Sequence, residues 1–305
     1  MTAPRHGFLL LNKKPGSTSF DSLRTVKMAF ATGKVGHTGT LDKFASGLLV
    51  VLVGRGVKLA SLFSRCDKEY TATVKFGAET DTLDPEGAII AEAPVPSRHD
   101  VEAVLASFRG DILQSPPAYS AIHINGRRAY ELTREGKAPE MKKRPVTVHA
   151  LEITSWTPPD AIIQVRCSSG TYIRSLARDI ALAAGSRAHL SGLVRVSVGG
   201  FLLEDSVEGE SADLAKALRP LDRKLFQTLS LPCFLADGRA AEGFIHGKPL
   251  QRLLEPEFAN FAATGNQAEA AGVFTKNAAG ETDDLLGILE CENGRWSYGH
   301  VFAGG

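Results

Sequence analysis

Apolar residues recur along this chain at two spacings, and each spacing predicts a different kind of element. Alternation of apolar and polar residues over 70–76 predicts a strand, and continuous apolar runs over 7–12 and 45–54 are typical of buried strands. Further strands are predicted near 122–126, 146–153, 162–167 and 194–198. Apolar residues three and four positions apart predict helices over 19–31, from 97 to about 108, and over 170–184, with Ser19 and Ser97 as N-caps. Shorter helices are predicted at 57–63 and 127–134.

Strands dominate this pattern, and the helices lack the regular spacing of βαβ units. We therefore expect an α+β fold with a largely antiparallel mixed sheet flanked by helices. Residues 204–225 are predicted to be mostly helical, and 259–271 to form a loop. Short strand-like segments at 272–275, 285–290 and 295–301 predict a small C-terminal β domain. The resulting division is a main domain over 1–228 and a small domain over 229–305.

Composition refines this picture through charge rather than through hydropathy. The chain has 305 residues with a net charge of +1, yet residues 1–200 hold 26 Lys and Arg against 18 Asp and Glu. The remaining residues hold 9 against 16. A basic main portion favours a polyanionic partner. The four cysteines are far apart in sequence, so the spacing indicates neither a zinc site nor a disulfide framework. No apolar run is long enough for a membrane span or a signal peptide, and we expect a cytoplasmic protein.

The segment 36–42, Gly-His-Thr-Gly-Thr-Leu-Asp, concentrates the candidate chemistry. Asp42 ends a run of small and turn-forming residues just before an apolar strand, so a rigid element can present its carboxylate to a cleft. Gly36 and Gly39 can adopt a positive φ and allow a large ligand to approach the backbone. An aspartate that only caps a turn remains the alternative from this segment alone.

An ordered set of motifs resembles the tRNA pseudouridine-55 synthases of the TruB family. The resemblance covers roughly residues 7–200 and is weaker in the tail. The similar segments are 36–42, 67–70 (DKEY), 77–87 (GAETDTLDPEG), 116–121 (PPAYSA), 126–130 (GRRAY) and 167–174 (CSSGTYIR). Any one of these motifs is weak, but five or six in this order are very hard to obtain by chance. The resemblance implies the pseudouridine synthase fold with a PUA-like RNA-binding C-terminal domain.

The resemblance also implies a reaction and its catalytic residues. A uridine in folded RNA would be detached at its glycosidic bond, rotated and rejoined through carbon, without a cofactor or metal. Asp42 would act as the nucleophile or charge stabiliser. Arg174 resembles the arginine that orients this carboxylate and keeps it ionised. Tyr70 resembles the tyrosine that stacks on the target base, and its hydroxyl could take part in proton transfer. A surface arginine and a half-buried strand tyrosine are the alternatives for these two positions.

The family pattern extends to residues that would bind the RNA. His37 would lie against the RNA loop and stabilise the flipped conformation, and Tyr172 and Leu193 would line the uracil pocket. Asp84 resembles a loop acid near the RNA. The candidate phosphate contacts are Lys13, Lys14, Lys58, Arg127, Arg128, Lys142, Lys143 and Arg144. The alternatives are an inert loop histidine for His37, core packing for Tyr172 and Leu193, and an Asp-Pro turn for Asp84. For the lysines and arginines the alternative is a solvated surface charge.

Some positions depart from the family pattern. Lys43 follows Asp42 where relatives usually have proline, which removes a fixed φ and adds a charge that could contact RNA. The spacing from Pro15 to Gly16 is one residue shorter than usual. His123 and Val57 replace residue types that are common in relatives. These changes affect substrate geometry rather than the catalytic set.

The sequence therefore predicts an enzyme that isomerises the T-loop uridine of tRNA and recognises the folded T stem-loop by shape and phosphate contacts. We expect a monomer with no cofactor, metal or membrane partner. A pseudouridine synthase acting on another RNA is one alternative. An RNA-binding or tRNA-folding protein with secondary or lost catalysis is the alternative from a different class.

Overall fold

The computed structural model describes residues 6–120, 123–124, 127–128, 135, 141–209, 214–236, 238–250, 268–276 and 283–302. Within these residues the helices are α1 Ser19–Ala29, α2 Ala60–Ser64, α3 Arg98–Leu105, α4 Ile173–Ala183, α5 Arg223–Thr228 and α6 Gly238–Ile245. Single 3₁₀ segments span Gly54–Leu59, Ala106–Phe108 and Leu203–Asp205. No helix in the described part of the chain is long and apolar enough to cross a membrane.

The strands occur in two groups along the chain. Those of the main portion are β1 Gly7–Lys13, β2 Val35–His37, β3 Ser46–Val53, β4 Lys68–Phe76, β5 Ala78–Thr80, β6 Ile89–Glu92, β7 Gly110–Gln114, β8 His123–Ile124, β9 Arg127–Arg128, β10 Arg144–Thr157, β11 Asp160–Cys167, β12 Ala188–Val198, β13 Phe201–Leu202 and β14 Val207–Glu208. Those of the C-terminal portion are β15 Cys233–Leu235, β16 Ala270–Lys276, β17 Asp283–Glu292 and β18 Arg295–Val301.

Ten of the described strands form one large sheet. Its order is β14-β1-β3-β12-β4-β11-β10-β7, with β13 beside β12 and β2 beside β3. Neighbours are antiparallel except for two parallel contacts, β1 with β14 and β3 with β12. The expected α+β fold with a largely antiparallel mixed sheet is therefore confirmed. The parallel contact at β3 and β12 brings the strand that follows Asp42 beside the strand that carries Leu193.

The helices cover the sheet with apolar stripes at helical spacing. The α4 stripe of Ile173, Leu176, Ala177 and Ile180 packs with buried side chains of β4, β11 and β12. Complete burial of a side chain such as Leu176 contributes roughly 1.5–3 kcal/mol. The α1 stripe, which includes Leu23 and Val26, packs on β1 and β3 in a separate cluster. The first turn of each of these two helices is thereby held against the sheet, close to the segments that carry the candidate site.

A separate four-stranded sheet, in the order β15-β16-β17-β18, forms the C-terminal portion. The small β domain predicted from the sequence is confirmed as an element of the fold. One of its clusters is shared with the main portion, because Phe226 and Phe274 belong to the same group of buried residues as Phe8 and Leu48. The rings of Phe226 and Phe274 meet edge to face with 5.3 Å between centroids. The boundary between residues 228 and 229 stays a prediction.

The N-cap of α1 is Thr18 rather than Ser19. The Thr18 side chain accepts a hydrogen bond from the Asp21 backbone N–H, and the Asp21 carboxylate accepts one from the Thr18 N–H, which forms a capping box. The hydroxyl of Ser19 is free to bind another segment, as described below. The N-cap predicted at Ser97 is confirmed and uses the same reciprocal pattern with Asp100.

Several element predictions were wrong in type or extent. Residues 57–63 divide between a 3₁₀ segment and α2, and Arg127–Arg128 form a strand instead of the start of a helix. The rest of that predicted helix, residues 129–134, lies outside the described residues. The described residues within 204–225 contain only a 3₁₀ segment, a two-residue strand and the start of α5. Residues 270 and 271 belong to β16, while 259–267 lie outside the described residues.

Candidate active site

Asp42 lies on the loop that connects β2 to β3, and hydrogen bonds from distant segments hold this loop in place. The Ser19 hydroxyl accepts from the Leu41 backbone N–H at 2.8 Å and contacts the Leu41 carbonyl at 3.1 Å. The Ala45 N–H donates to the Asp42 carbonyl at 3.1 Å. The Gly16 N–H donates to the Lys43 carbonyl at 2.8 Å. The backbone on both sides of Asp42 is therefore fixed by β1 and α1, which limits where the carboxylate can point.

Arg174, in the first turn of α4, joins the loop of Asp42 to two other segments. Its Nε lies 3.0 Å from Asp42 Oδ2 and its Nη2 donates to Asp42 Oδ1 at 3.1 Å, so the fork contacts both carboxylate oxygens. Nη1 donates to the Thr82 carbonyl at 2.7 Å and to Asp84 Oδ2 at 3.2 Å. Nη2 also donates to the Tyr119 carbonyl at 3.0 Å. Arg174 is only 5% exposed, which excludes the surface-arginine alternative.

Asp84 lies behind Arg174 and does not line the cleft. Its Oδ1 accepts from the Thr82 hydroxyl at 2.6 Å and from the Glu86 N–H at 3.1 Å, while Oδ2 faces Arg174. The preceding Leu83 is buried with a φ of 62°, an unfavourable conformation for a branched side chain. Because Asp84 is 5% exposed, the predicted contact with RNA does not fit its placement. The carboxylate instead positions the guanidinium that holds Asp42.

The electrostatics around Asp42 are dominated by its burial, by Arg174 and by the second carboxylate, Asp84. Burial raises the pKa of Asp42 above its ordinary value, Arg174 opposes the rise, and the nearby Asp84 adds to it. The Asp42 side chain is 36% exposed, so its oxygens remain accessible from the cleft. The arrangement holds a carboxylate in a fixed direction at the wall of the cleft, which suits attack on, or charge stabilisation of, a sugar carbon.

The cleft in front of Asp42 has a volume of about 480 Å³, which is within the range of small-molecule sites. Three predicted pocket residues lie in its walls beside Asp42 and Arg174: Tyr70 on β4, Tyr172 just before α4 and Leu193 on β12. Tyr172 is held by Gln114, whose amide accepts from its N–H at 2.8 Å and donates to its carbonyl at 3.1 Å. An aromatic ring, an apolar side chain and a carboxylate thus face one cavity large enough for a nucleoside.

Tyr70 is positioned by the register of the sheet. It pairs with Arg195 of β12 on one side and with Val165 of β11 on the other. Burial is the main cause that raises the pKa of its hydroxyl above the usual 10, so the phenol is protonated at neutral pH. A neutral phenol can donate a proton or a hydrogen bond to a ligand in the cleft.

The remaining predicted substrate contacts do not line this cleft. His37 is half-buried on β2, where burial lowers the pKa of its imidazole and favours the neutral form. Lys58 is exposed, and its Nζ lies 5.5 Å from the centroid of the Phe302 ring. Lys14 contacts Glu208 at 3.5 Å. Arg127 forms an ion pair with Glu135. Lys142, Lys143 and Arg144 are exposed, whereas nothing is described of the Arg128 side chain.

Lys13 is placed inside the fold, so the predicted phosphate contact was wrong. It is 1% exposed, and its Nζ donates to the carbonyls of Ala45 at 2.6 Å, Lys14 at 3.1 Å and Lys43 at 3.4 Å. A buried ammonium needs such acceptors because it has lost its water. Lys13 is therefore almost completely buried, and its ammonium binds the loop just after Asp42.

Lys13→Met is expected to loosen this loop and to change how stability depends on pH. Burial lowers the pKa of Lys13 to about 8, so the folded state binds fewer protons than the unfolded state up to the ordinary value of 10.5. The contribution of Lys13 to stability therefore rises between those two pH values, and the variant lacks this rise. Urea unfolding of wild type and variant at pH 7 and at pH 10 gives the difference in their free energies of unfolding, which should be larger at pH 10.

Lys14→Met, an exposed neighbour, is the matched control for this change. We expect turnover of Lys13→Met to fall about 10- to 100-fold because the loop shifts. A constant stability difference across that pH range would contradict the buried, titrating lysine.

Arg195 and Lys68 line the same cleft and were not singled out from the sequence. Arg195 is buried, and it donates from Nε to the Leu48 carbonyl at 2.7 Å and from Nη2 to the Gly39 carbonyl at 3.0 Å. Lys68 donates to the carbonyls of Ser64 and Cys66. The available signal for Arg195 was its position two residues after Leu193, because residues i and i+2 of a strand share a face.

The glycine with a conformational requirement near Asp42 is Gly47, the second residue of β3, and not Gly36 or Gly39. Neither of those two has a positive φ, whereas Gly47 has a φ of 103°. A Cβ at Gly47 would lie 2.4 Å from the carbonyl oxygen of Arg195. The close contact of β3 with β12 therefore needs glycine at this position.

Comparison with solved structures shows which known fold this chain shares. A Cbf5-Nop10-Gar1 complex matches with a TM-score of 0.67 and 23% identity, over 93% of this chain and 78% of that chain. An archaeal box H/ACA sRNP Nop10-Cbf5 complex matches with a TM-score of 0.65 and 23% identity, over 94% and 79%. This chain therefore shares its fold with these two Cbf5-containing structures.

Sequence relatives identify the family to which the chain belongs. Residues 27–173 match the family described as TruB family pseudouridylate synthase, N-terminal domain. A tRNA pseudouridine synthase B of Francisella philomiragia is 38% identical over 293 residues, which is 95% of this chain and 92% of that protein. One of Borreliella burgdorferi is 47% identical over 225 residues, or 73% and 80%. The chain belongs to the TruB family of pseudouridylate synthases.

Proposed function

We propose that this protein isomerises the T-loop uridine of tRNA, uridine-55, to pseudouridine, with Asp42 as the group that acts on the sugar. The observation that carries the proposal is the carboxylate of Asp42, whose two oxygens contact Nε and Nη2 of a buried arginine at the wall of a nucleoside-sized cleft. The names of the relatives, tRNA pseudouridine synthase B, support tRNA as the substrate class.

The reaction breaks the bond from C1′ to N1 of the uracil and forms a bond from C1′ to C5. The C5 proton is lost and N1 gains a proton, so atoms and charge balance without any redox step. Asp42 either attacks the nucleoside directly or stabilises the positive charge that develops on the sugar. The detached base must turn while it stays inside the cleft, which Tyr70, Tyr172 and Leu193 enclose on several sides.

A base in a folded loop must leave its stack before it reaches Asp42. Extrusion costs a few kcal/mol. Stacking on the ring of Tyr70 returns roughly 1–3 kcal/mol. We propose that His37 contacts the RNA loop from β2, outside the cleft, and stabilises the flipped conformation there. Lys58 and the exposed residues Lys142, Lys143 and Arg144 then remain candidates for phosphate contacts, which would make binding depend on salt.

Tritium release from unmodified tRNA labelled at uridine C5 tests the proposed function. Wild-type protein is expected to release the label of the T-loop uridine only. A transcript with cytidine at that position serves as the matched RNA. Release from another uridine would point to a synthase for a different site or RNA. Tight binding without release would favour the alternative of an RNA-binding or tRNA-folding protein.

Tyr70→Phe and Tyr70→Leu separate the two roles of the tyrosine. Phenylalanine keeps the ring, so we expect RNA affinity to be retained while the rate falls about 100-fold through loss of the hydroxyl. Leucine removes the aromatic face as well, and the Kd for tRNA is expected to rise about tenfold. Single-turnover kinetics and a binding titration measure the two effects. If Tyr70→Phe reacts at the wild-type rate, the hydroxyl of Tyr70 does not take part in proton transfer.

The C-terminal portion is proposed to be a PUA-like RNA-binding domain over residues 229–305, following the main domain over 1–228. Its acidic balance argues for a limited contact rather than a broad phosphate-binding surface. The monomeric state and the cytoplasmic location expected from the sequence stay predictions.

A further inference from the structure

Helix α1 exposes two large apolar side chains that the proposed catalytic site does not use. Phe20 is 68% exposed and Met28 is 70% exposed. Arg24 and Lys27 lie between them in sequence, and the four residues fall on one flank of the helix because the other three follow Phe20 by four, seven and eight positions. We call this set, Phe20, Arg24, Lys27 and Met28, the α1 flank.

The α1 flank faces the side of the molecule that carries the catalytic loop. The buried stripe of α1 lies against β1 and β3, and the opposite flank, with Ser22 and Thr25, lines a recess with Glu208 of β14. β14 borders β1 on one side, whereas β3 and then β2 lie on the other. The α1 flank is therefore directed toward β2. Phe20 also follows directly on Ser19, whose hydroxyl holds the residue before Asp42.

The charges on this flank are positive. Lys27 Nζ lies 4.9 Å from the centroid of the Phe20 ring, and Arg24 is exposed on the next turn. Lys34, in the loop between α1 and β2, is exposed as well. The acidic residue of the helix, Asp21, is engaged by Thr18, whose N–H and hydroxyl donate to its carboxylate at 2.9 Å and 2.6 Å. An aromatic face beside cations is the combination that binds an unpaired base together with its phosphates.

We propose that the α1 flank is a second RNA contact, at which an unpaired base of the substrate stacks on Phe20 while Arg24 and Lys27 bind adjacent phosphates. The inference rests on the proposed function for the identity of the RNA as the substrate. The cations disfavour an apolar protein segment as the occupant, and the exposed Phe20 ring beside them favours a nucleotide over an acidic protein segment. Continuity with the catalytic loop favours the same RNA molecule whose uridine enters the cleft. Met28 extends the apolar surface on which the nucleotide rests.

Binding of unmodified tRNA to Phe20→Ala, Phe20→Tyr and the double variant Arg24→Gln/Lys27→Gln tests this inference. Phe20→Ala is expected to raise the Kd about five- to tenfold, at the low end of what loss of one stacked base produces. Phe20→Tyr retains the aromatic face and is expected to stay within about twofold of wild type. The double variant is expected to reduce the slope of log Kd against log salt by about two, one for each phosphate contact.

Leu113→Ala and Arg98→Gln are matched controls, because they alter an exposed apolar residue and an exposed cation far from α1 along the sheet. Equal affinity of wild type and Phe20→Ala would overturn the inference. A change of self-association in Phe20→Ala, with unaltered RNA affinity, would assign the flank to a contact between copies and would also overturn it.

Tritium release by wild-type protein, measured in parallel, keeps the two proposals separate. If wild-type protein releases tritium and Phe20→Ala binds tRNA as tightly as wild type, the RNA contact at the α1 flank is rejected and the proposed function is retained. Phe20-dependent binding without release supports the RNA contact and rejects the proposed function. Absence of tRNA binding by wild type overturns both.

Discussion

Asp42→Asn is expected to abolish uridine isomerisation while the protein remains folded and able to bind tRNA. The amide has the same shape as the carboxylate but cannot act as a nucleophile or carry the negative charge that the reaction needs. We expect the single-turnover rate to fall by about 10⁴-fold or more, the scale observed when a nucleophile is removed. Tritium release at saturating tRNA measures the loss.

The stability of Asp42→Asn provides a second, independent readout. Because burial raises the pKa of Asp42 despite Arg174, the folded state binds this proton more tightly than the unfolded state. The contribution of Asp42 to stability therefore falls as the pH rises from the ordinary value of 3.8 through the raised one, and ionised Asp42 opposes folding at pH 7. The amide removes this cost, so a Tm equal to or above that of wild type is expected. A folded variant that retains a tenth of the wild-type rate would refute the assigned role.

Arg174→Met is expected to have the largest effect on stability, and it is expected to lower activity as well. Arg174 separates Asp42 from Asp84 and makes contacts to both, so its removal leaves two carboxylates in a site that lacks their shared cation. Breaking a buried pair in this way costs about 3–5 kcal/mol. The pKa of Asp42 should rise further, which moves the acid limb of the pH–rate profile to higher pH. Urea unfolding and a pH–rate profile measure the two effects.

Arg174→Lys and the double variant Arg174→Met/Asp84→Asn distinguish charge from geometry. Lysine keeps a cation but cannot contact both oxygens of Asp42 while it also reaches Asp84, so stability is expected to recover more than activity. Removal of the second carboxylate relieves repulsion and should restore part of the stability of Arg174→Met without restoring turnover. Full activity in Arg174→Lys would show that the fork geometry is not required.

The elements that the sequence predicted well are those determined locally. Alternation over 70–76 placed β4 and hence Tyr70, and the small residues before Asp42 placed the catalytic loop. The N-cap of α1 was missed by one residue because Thr18 and Ser19 are both good caps, and only the reciprocal bond with Asp21 decides between them.

The roles that the sequence did not predict depend on partners that are distant in the chain. A lysine at the end of a strand is usually solvated, and Lys13 is buried only because carbonyls of the catalytic loop surround its ammonium. Asp84 lies in an Asp-Pro turn of a type common on surfaces, yet it is buried because Arg174 reaches it across 90 residues. Arg195 belongs to no motif that the sequence analysis singled out, and its position in the wall of the cleft follows from its pairing with Tyr70 in the sheet.

The contacts of Arg174 also determine when this protein can become active as it folds. The fork joins segments that are 132 and 55 residues away in sequence, at Asp42 and at the Tyr119 carbonyl. Closure of such long loops is entropically unfavourable, so these contacts cannot form before most of the sheet has assembled. A partly folded chain can therefore contain native helices and strand pairs and still hold Asp42 without its partner. We therefore expect activity to return late in refolding and to report completion of the long-range structure more faithfully than secondary-structure content does.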